Sequence, residues 1–329
     1  MVEQRVAHFY AMQEYHLGWR DAELQPALFD PGKLLRPQLA ILACRAVGGQ
    51  IEQVLPLAAA IQLIHDFTLI HDDIQDQSDM RRGRVTVWKQ WGLAHGINVG
   101  DGMFIIAHMS LYRLTDAGVP APVILDVLQR FEATNLKICE GQFLDLSFEG
   151  DLDISEADYL AMIERKTATL LAGAASMGAV VGGADAATVA ALYTFGLSLG
   201  LAFQIQDDIL GIWGDPALTG KPRAADLYRR KLSLPIIYAL RSDDEGAHLH
   251  QAELQQRYQQ AQLHDQDVER VLIALEAASS RRYCEEVALS YHQQALQALD
   301  QVQPGTSAEA AEALAQMRTM TDQLLGRQT

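Results

Sequence analysis

Cysteine is scarce in this chain. Cys44, Cys139 and Cys284 are the whole supply, far apart and in no CxxC pair. That spacing excludes a disulfide framework and a cysteine zinc site, and reads as small core residues in a reducing compartment. Net positive charge is missing too: 26 lysines and arginines face 42 acids, leaving −16. A nucleic-acid partner is excluded by the lack of a basic footprint, so any bound anion must be held by a local cluster of cations. Proline is absent from 57–119, 123–215 and 236–303. Alternating β-branched runs bounded by turn dipeptides are equally scarce, which disfavours a sheet. The N-terminal MVEQRVAHFYAMQEY has no basic start followed by an apolar run, so no signal peptide is evident. The most apolar stretch, around 170–195, is broken by Gly182, Gly183 and Asp185 and makes no membrane span. The expectation is a cytoplasmic protein, not an integral membrane one.

What the chain has in quantity is apolar, helix-forming sequence. Apolar residues fill 49% of the 329 positions, enough for a substantial core. The proline-free stretches are rich in Ala, Leu, Gln and Glu, strong helix formers without breakers. An all-α fold follows. It is expected as a single domain over 1–329, with the motifs within about 30–240 and further helices over 241–329. Helix punctuation falls at DPGK (30–33), AGVPAP (117–122), GDPALTGKP (214–222) and QPGTSAE (303–309). Thr306 with Glu309 three residues on forms a capping-box pattern for a final helix.

Residues 69–83 read LIHDDIQDQSDMRRG and close a predicted helix, AAAIQLIHDFTLIHDDIQD (58–76). At about 100° per residue, Asp72 and Asp76 lie about 40° apart on one face, with Asp73 off to the side. Like charges at that spacing destabilise an isolated helix by roughly a few tenths of a kcal/mol. A divalent cation is the natural compensation, since Mg²⁺ takes hard oxygen ligands from one or two carboxylates plus a substrate's phosphates. Such a cluster by itself is most often a solvated helix face. Here the preceding IQLIHDFTLI is largely apolar, which points to a mostly buried helix. Residues 203–222, FQIQDDILGIWGDPALTGKP, repeat the arrangement, with Asp207 and Asp208 ending an apolar run. Two such pairs could face each other across a bundle, where metal sites are built from inward carboxylates.

Basic residues gather around the same elements: Arg81 and Arg82 after the first pair, Lys221 and Lys231 after the second, with Lys33, Arg36 and Lys166 elsewhere. Singly, Arg81 and Arg82 read equally as a surface pair, Lys166 as a helix cap, and Lys231 as part of a solvated cluster with Arg229 and Arg230. His65 lies seven residues before Asp72, about 20° away on the same face, although a lone histidine more often bonds a backbone carbonyl in a core. His71 and Asp79 read as supporting or structural, Arg84 and Lys89 as solvated.

Seven segments in one order, GKLLRP, HDDIQD, MRRG, KTATL, FQIQDD, GDPALTGKP and DLYRRKLSLP, resemble those of the trans-isoprenyl diphosphate synthases, the polyprenyl synthetases. The likeness is greatest to the short-chain geranylgeranyl and farnesyl diphosphate synthases. It implies the type I isoprenoid synthase fold, a helical bundle with a central cavity, as well as a homodimer and Mg²⁺ as cofactor. The implied reaction joins isopentenyl diphosphate to an allylic diphosphate (dimethylallyl, geranyl or farnesyl). The allylic partner ionises, the carbocation alkylates the double bond, and loss of a proton gives a chain five carbons longer.

By this resemblance Asp72, Asp76 and Asp207 are direct metal ligands, with Asp73 and Asp208 in support. Arg81, Lys166, Lys221 and Lys231 would hold the allylic diphosphate, and Lys33, Arg36, His65 and Arg82 the isopentenyl diphosphate. Thr167 and Gln204 would line the reaction centre. Phe67, five residues before Asp72, and the small Thr68, four before, match the archaeal-type geranylgeranyl synthases. A C20 product is therefore expected, with C15 as the alternative. Three departures stand out: Gly211 replaces a third aspartate in DDILG, Val85 replaces a usual proline, and LLGRQT lacks a basic tail. A terpene cyclase of the same fold would need no second diphosphate site, and a non-catalytic subunit would be expected to lose metal ligands.

Overall fold

Helices form where the breakers are absent. The computed structural model describes residues 2–216, 223–243 and 245–325. Its first part comprises α1 (Val2–His16), α2 (Leu35–Ala46), α3 (Ile51–Gln75), a hairpin of β1 (Met80–Arg81) and β2 (Arg84–Val85), α4 (Val87–Trp91), α5 (Leu93–Tyr112) and α6 (Ala121–Ser147). Then come α7 (Glu156–Ile163), a π-helical turn (Glu164–Ala168), α8 (Thr169–Val181) and α9 (Ala186–Trp213). The remainder is α10 (Ala225–Tyr228), α11 (Leu234–Arg241), α12 (Glu245–Tyr258), α13 (Asp265–Ala277), α14 (Ser280–Asp300) and α15 (Ala308–Leu325).

The ends have local causes. The break expected near 182–185 is real: α8 stops at Val181, and Asp185 caps α9 by accepting the Thr188 amide at 2.8 Å. The final helix is capped one residue later than the Thr306 pattern suggests, because the Ser307 hydroxyl accepts the Ala310 amide at 3.1 Å. The helix expected over 58–76 begins at Ile51. The 80–85 hairpin was not foreseen; its two-residue strands are too short for a period to show. Its turn is Arg82 (φ 50°) and Gly83 (φ 73°), the double positive φ that suits a tight hairpin's twist.

The bundle is organised around α8. Every residue of TLLAGAASMGAVV is buried, with α2, α6 and α9 packed against it. Beside this layer α3 pairs with α5, and α9 with α14. Among the described residues two helices, α3 and α9, are long and apolar enough to cross a membrane by length and composition. Both are core helices here; α3 ends at the first acidic motif, and α9 carries the second before running on to Trp213. A second apolar cluster, built from α10 to α13 and the end of α9, includes Ile212, Leu227, Ile236, Leu254 and Leu275.

Small residues allow the close helix approach. A Cβ on Gly178 of α8 would lie 2.2 Å from the Ala40 carbonyl oxygen of α2. Backbone cannot swing aside as a side chain can, so α2 would have to move. Gly178→Ala is therefore expected to lower stability by about 1–3 kcal/mol, read as a lower urea midpoint at unchanged slope. An unchanged midpoint would show that the two helices part freely.

Candidate active site

The first acidic motif ends α3. Asp72 is half-buried and accepts from the Lys166 ammonium at 3.4 Å. Lys166 also binds Asp145 of α6. Burial works against the Lys166 charge, yet Asp72, Asp145 and Asp76 outweigh it and raise its pKa. Asp76 is exposed on its outer side, while the protein crowding its inner side, and then the Asp72 charge, push its carboxyl up to about 6. Asp73 points the other way, into the fold. It is 2% exposed and takes both Nε and Nη2 of Arg81 on one oxygen, each at 2.8 Å. Burial still raises its pKa against that arginine.

Lys166 and Thr167 owe their setting to the π-helical turn, where the Thr169 amide reaches back to the Glu164 carbonyl. Such turns insert one residue into an α-helix and are frequent at functional sites. The turn also lets α6 come close, since a Cβ on Gly141 would lie 2.2 Å from the Lys166 amide nitrogen.

The second motif centres on Asp208 of α9, which is fully buried. It accepts from the Tyr159 hydroxyl, from Gln204 Nε2 at 3.2 Å and from Lys231 at 3.3 Å. The Thr167 hydroxyl donates to the other end of the Gln204 amide at 3.0 Å. Burial would strip the Lys231 proton, but Asp208, Asp226 and Asp145 together hold its pKa above the ordinary value. Lys231 is thus tied to Asp208 although its side chain stays 41% exposed; its neighbour Arg230 binds the Gln260 and Tyr258 carbonyls. The gap at Gly211 has a steric partner. A Cβ there would lie 2.1 Å from Asp226 Oδ2, so a carboxylate from α10 occupies the room a longer side chain would need.

A third cluster lies on the same face of α3, one to two turns earlier. Arg36 Nη1 is 3.3 Å from His65 Nε2. Burial lowers the Arg36 pKa to about 10, while Asp207 and Asp66 pull it upward and Arg82 adds to the lowering. His65 is pushed well below its usual range by burial and by Arg36, Arg82, Arg81 and His16, so it is neutral at pH 7. Gly32, next to Lys33, packs against Arg82, its ideal Cβ only 3.3 Å from the guanidinium carbon. Asp207 therefore acts on the basic group that contacts α3, while Asp72 and Asp76 act on Lys166. The two motifs are linked at the π-helical turn, where Lys166 pairs with Asp72 and Thr167 bonds the Gln204 that donates to Asp208. Asp145 pairs with Lys166 and adds to the field that raises the Lys231 pKa. Lys221 lies outside the described residues.

Below the first motif, Phe67 packs on His71 (4.8 Å between ring centroids) and on Phe104 of α5 (5.0 Å). Phe104 stacks on His108 (4.3 Å), and His108 on the buried Phe131 of α6 (5.1 Å). Thr68 turns its hydroxyl back to the His65 carbonyl at 2.7 Å. His71 abuts Gly100 and faces the Ile97 carbonyl at 3.3 Å, a structural role. Asp79 and Lys89 pair at the surface, 3.2 Å apart. Arg84 contradicts its reading as solvated: it is half-buried and donates to the Tyr15 and Arg20 carbonyls at 2.7 and 2.6 Å.

The donor set fits a hard divalent cation of modest protein coordination. Asp72 and Asp76 share a face and already recruit an ammonium. Among the described residues, no three His, Cys, Asp or Glu side chains gather tightly enough to enclose an ion. Mg²⁺ suits that arrangement, because it keeps waters and completes its shell with substrate phosphates.

Comparison with known proteins agrees with this geometry. A family model described as polyprenyl synthetase matches residues 20–275. A geranylgeranyl diphosphate synthase of Mycobacterium tuberculosis is 42% identical over 289 residues, 88% of this chain and 80% of that protein. A (2E,6E)-farnesyl diphosphate synthase of the same species is 38% identical over 240 residues, 73% of this chain and 66% of its own length. The crystal structure of a polyprenyl synthetase from Streptomyces coelicolor A3(2) superposes with a TM-score of 0.87 at 35% identity, covering 96% of this chain and 91% of that one. A geranylgeranyl pyrophosphate synthase from Corynebacterium glutamicum, complexed with isoprenyl diphosphate and magnesium, gives 0.82 at 25% identity, covering 98% and 92%. With acid-ended helices, a shared basic region and a matched all-α bundle, the chain belongs to the polyprenyl synthetase family.

Proposed function

We propose that this short-chain trans-prenyl diphosphate synthase condenses isopentenyl diphosphate with an allylic diphosphate and releases geranylgeranyl diphosphate. The observation that carries the reading is the linkage of both acidic motifs through the π-helical turn, where Lys166 pairs with Asp72 and Thr167 bonds the Gln204 that donates to Asp208. Asp72, Asp76 and Asp207 would hold Mg²⁺, supported by Asp73 and Asp208. The cation, when bound, supplies positive charge against the developing pyrophosphate. The Corynebacterium relative's complex with isoprenyl diphosphate and magnesium supports that assignment.

The chain's own residues do the rest. Lys166, Arg81, Lys231 and Lys221 grip the allylic diphosphate. Lys33, Arg36, His65 and Arg82 grip the isopentenyl diphosphate. His65, kept neutral, offers a hydrogen bond without adding charge beside Arg36. Thr167 and Gln204, joined at 3.0 Å, direct oxygen dipoles at the carbon that becomes cationic. An apolar surround keeps water from capturing it.

Phe67 sits about 7.5 Å down the axis from Asp72. Backed by Phe104, His108 and Phe131, it forms a floor that a packed aromatic group makes hard to displace. Farnesyl diphosphate is the alternative product, as the 38%-identical relative is named for it. A second copy of the chain is the partner proposed for the exposed faces of α5 and α6. Leu93, Ile97, Ile105, Met109 and Tyr112 on one helix, with Leu125, Leu136 and Phe143 on the other, stand 44–69% exposed. Apolar surface so arranged marks an association site. A cytoplasmic setting completes the proposal, supported by the three unpaired cysteines.

Asp72→Asn is expected to cut condensation by at least about a hundredfold at unchanged circular dichroism; near-normal turnover would end the metal assignment. Phe67→Ala should shift products beyond the wild-type length by chromatography of labelled prenols, and an unaltered distribution would remove the floor. Leu136→Asp should convert a dimer to monomer in light scattering, and a persistent dimer would place the interface elsewhere.

A further inference from the structure

Arg84 stands two residues from Arg82, and both line one recess with Tyr15, Asp30 and Arg81. Its Nη1 donates to the Tyr15 carbonyl at 2.7 Å and its Nη2 to the Arg20 carbonyl at 2.6 Å. The guanidinium carbon lies 3.9 Å from the Tyr15 ring centroid and 4.1 Å from that of Phe29. Burial lowers its pKa, against the pull of Tyr15 and Asp21. A guanidinium remains charged through such a shift. With both terminal nitrogens committed to main-chain carbonyls and two rings against it, Arg84 is not a group that touches substrate.

The segments it joins each carry a candidate for the isopentenyl diphosphate, Arg82 on one and Lys33 on the other. On one side is the hairpin, where Arg81 and Arg84 are cross-strand partners and Arg82 occupies the turn at φ 50°. The Tyr15 hydroxyl adds a bond of 2.7 Å to the Val85 carbonyl. On the other side is the irregular stretch from Gly18 to Lys33. It folds back on itself through Ala27 N to Trp19 O at 3.0 Å and Phe29 N to Gly18 O at 2.8 Å. Asp30 then accepts the Gly32 amide at 2.8 Å, and Gly32 rests against the Arg82 guanidinium. Arg84 ties the hairpin to this stretch at Arg20 and Phe29, beside the contact of Gly32 with Arg82.

We propose that Arg84 is a positioning residue for the isopentenyl diphosphate site: it fixes the Arg82 hairpin against the Lys33 segment, so that the two cations meet the same diphosphate. This rests on the assignment of Lys33 and Arg82 made above. On the allylic side Lys166, on the π-helical turn, and Lys231, after α10, lie off the hairpin, while Arg81, which lies on it, is anchored independently by the buried Asp73 of α3 through two contacts of 2.8 Å. Loss of the Arg84 staple therefore affects the two substrates unequally.

The test is steady-state kinetics of the full-length enzyme with each substrate varied in turn. Arg84→Met keeps the stem and removes the donors. It should raise KM for isopentenyl diphosphate about tenfold or more while KM for the allylic diphosphate and kcat stay within about twofold. Arg84→Lys should resemble Arg84→Met, because one ammonium cannot serve two carbonyls and stack on two rings. Adding Arg84→Met to Arg82→Gln should cost little beyond Arg82→Gln alone, since one acts through the other. An unchanged KM for isopentenyl diphosphate in Arg84→Met, equal rises for both substrates, or full additivity with Arg82→Gln overturns the proposal. Should Arg84→Met fail to accumulate as folded protein, Phe29→Leu, at a 40% exposed position, must show the same unequal split at smaller size, and equal KM changes there overturn it. The underlying site fails separately: Arg82→Gln with a normal KM for isopentenyl diphosphate would sink that assignment. A raised KM in Arg82→Gln beside a normal one in Arg84→Met would sink only the role of Arg84.

Discussion

Negative charge drawn partly out of water must be answered by positive charge close at hand, and the whole molecule is arranged around that requirement. Two long apolar helices each carry a pair of aspartates in their C-terminal part. Desolvation and mutual repulsion raise the cost of ionising those groups, as Asp76 shows most plainly. Lys166 and Lys231 answer it in the free protein, and each is itself partly desolvated. Arg36 plays the same part toward Asp207. Removing one partner of such a set leaves an uncompensated charge, which costs more than the pair contributes. The site therefore holds opposite charges in readiness, and a diphosphate with its counter-cation exchanges partners there instead of creating charge anew.

The parts visible in the sequence were those governed by local spacing. Asp72 and Asp76 share a face because of helix geometry, and the order of the motifs identified the fold class. Other features depended on contacts between distant segments. Asp145 carries no motif of its own, and only folding places it between Lys166 and Lys231. Asp226 was hidden for the same reason, though Gly211 gave a clue, since a missing side chain implies something filling its space. Arg84 looked solvated because nothing nearby in sequence announces Tyr15 and Phe29 as its neighbours. The hairpin and the π-helical turn escaped because each spans too few residues for periodicity to register.

Aromatic packing shows the same division. Phe67 could be placed on the face below Asp72 by counting residues. Its continuation through Phe104, His108 and Phe131 crosses three helices. A single ring in a fluid surround would yield to a growing prenyl chain. A ring backed by a ladder ending in a fully buried phenylalanine resists, because moving one member disturbs the next.

The π-helical turn has a consequence for the helix that contains it. Between Glu156 and Val181 the chain runs as one rod with a single surplus residue near its middle. That residue rotates the upstream half by roughly 100° relative to an uninterrupted spiral. The rotation is what lets Tyr159, from before the bulge, and Thr167, within it, both reach α9, through Asp208 and Gln204. Excision of one amino acid within the π-helical turn would restore ideal winding and swing Tyr159 away from Asp208. The rod's length in residues is thus as strictly fixed as the identity of the side chains it presents.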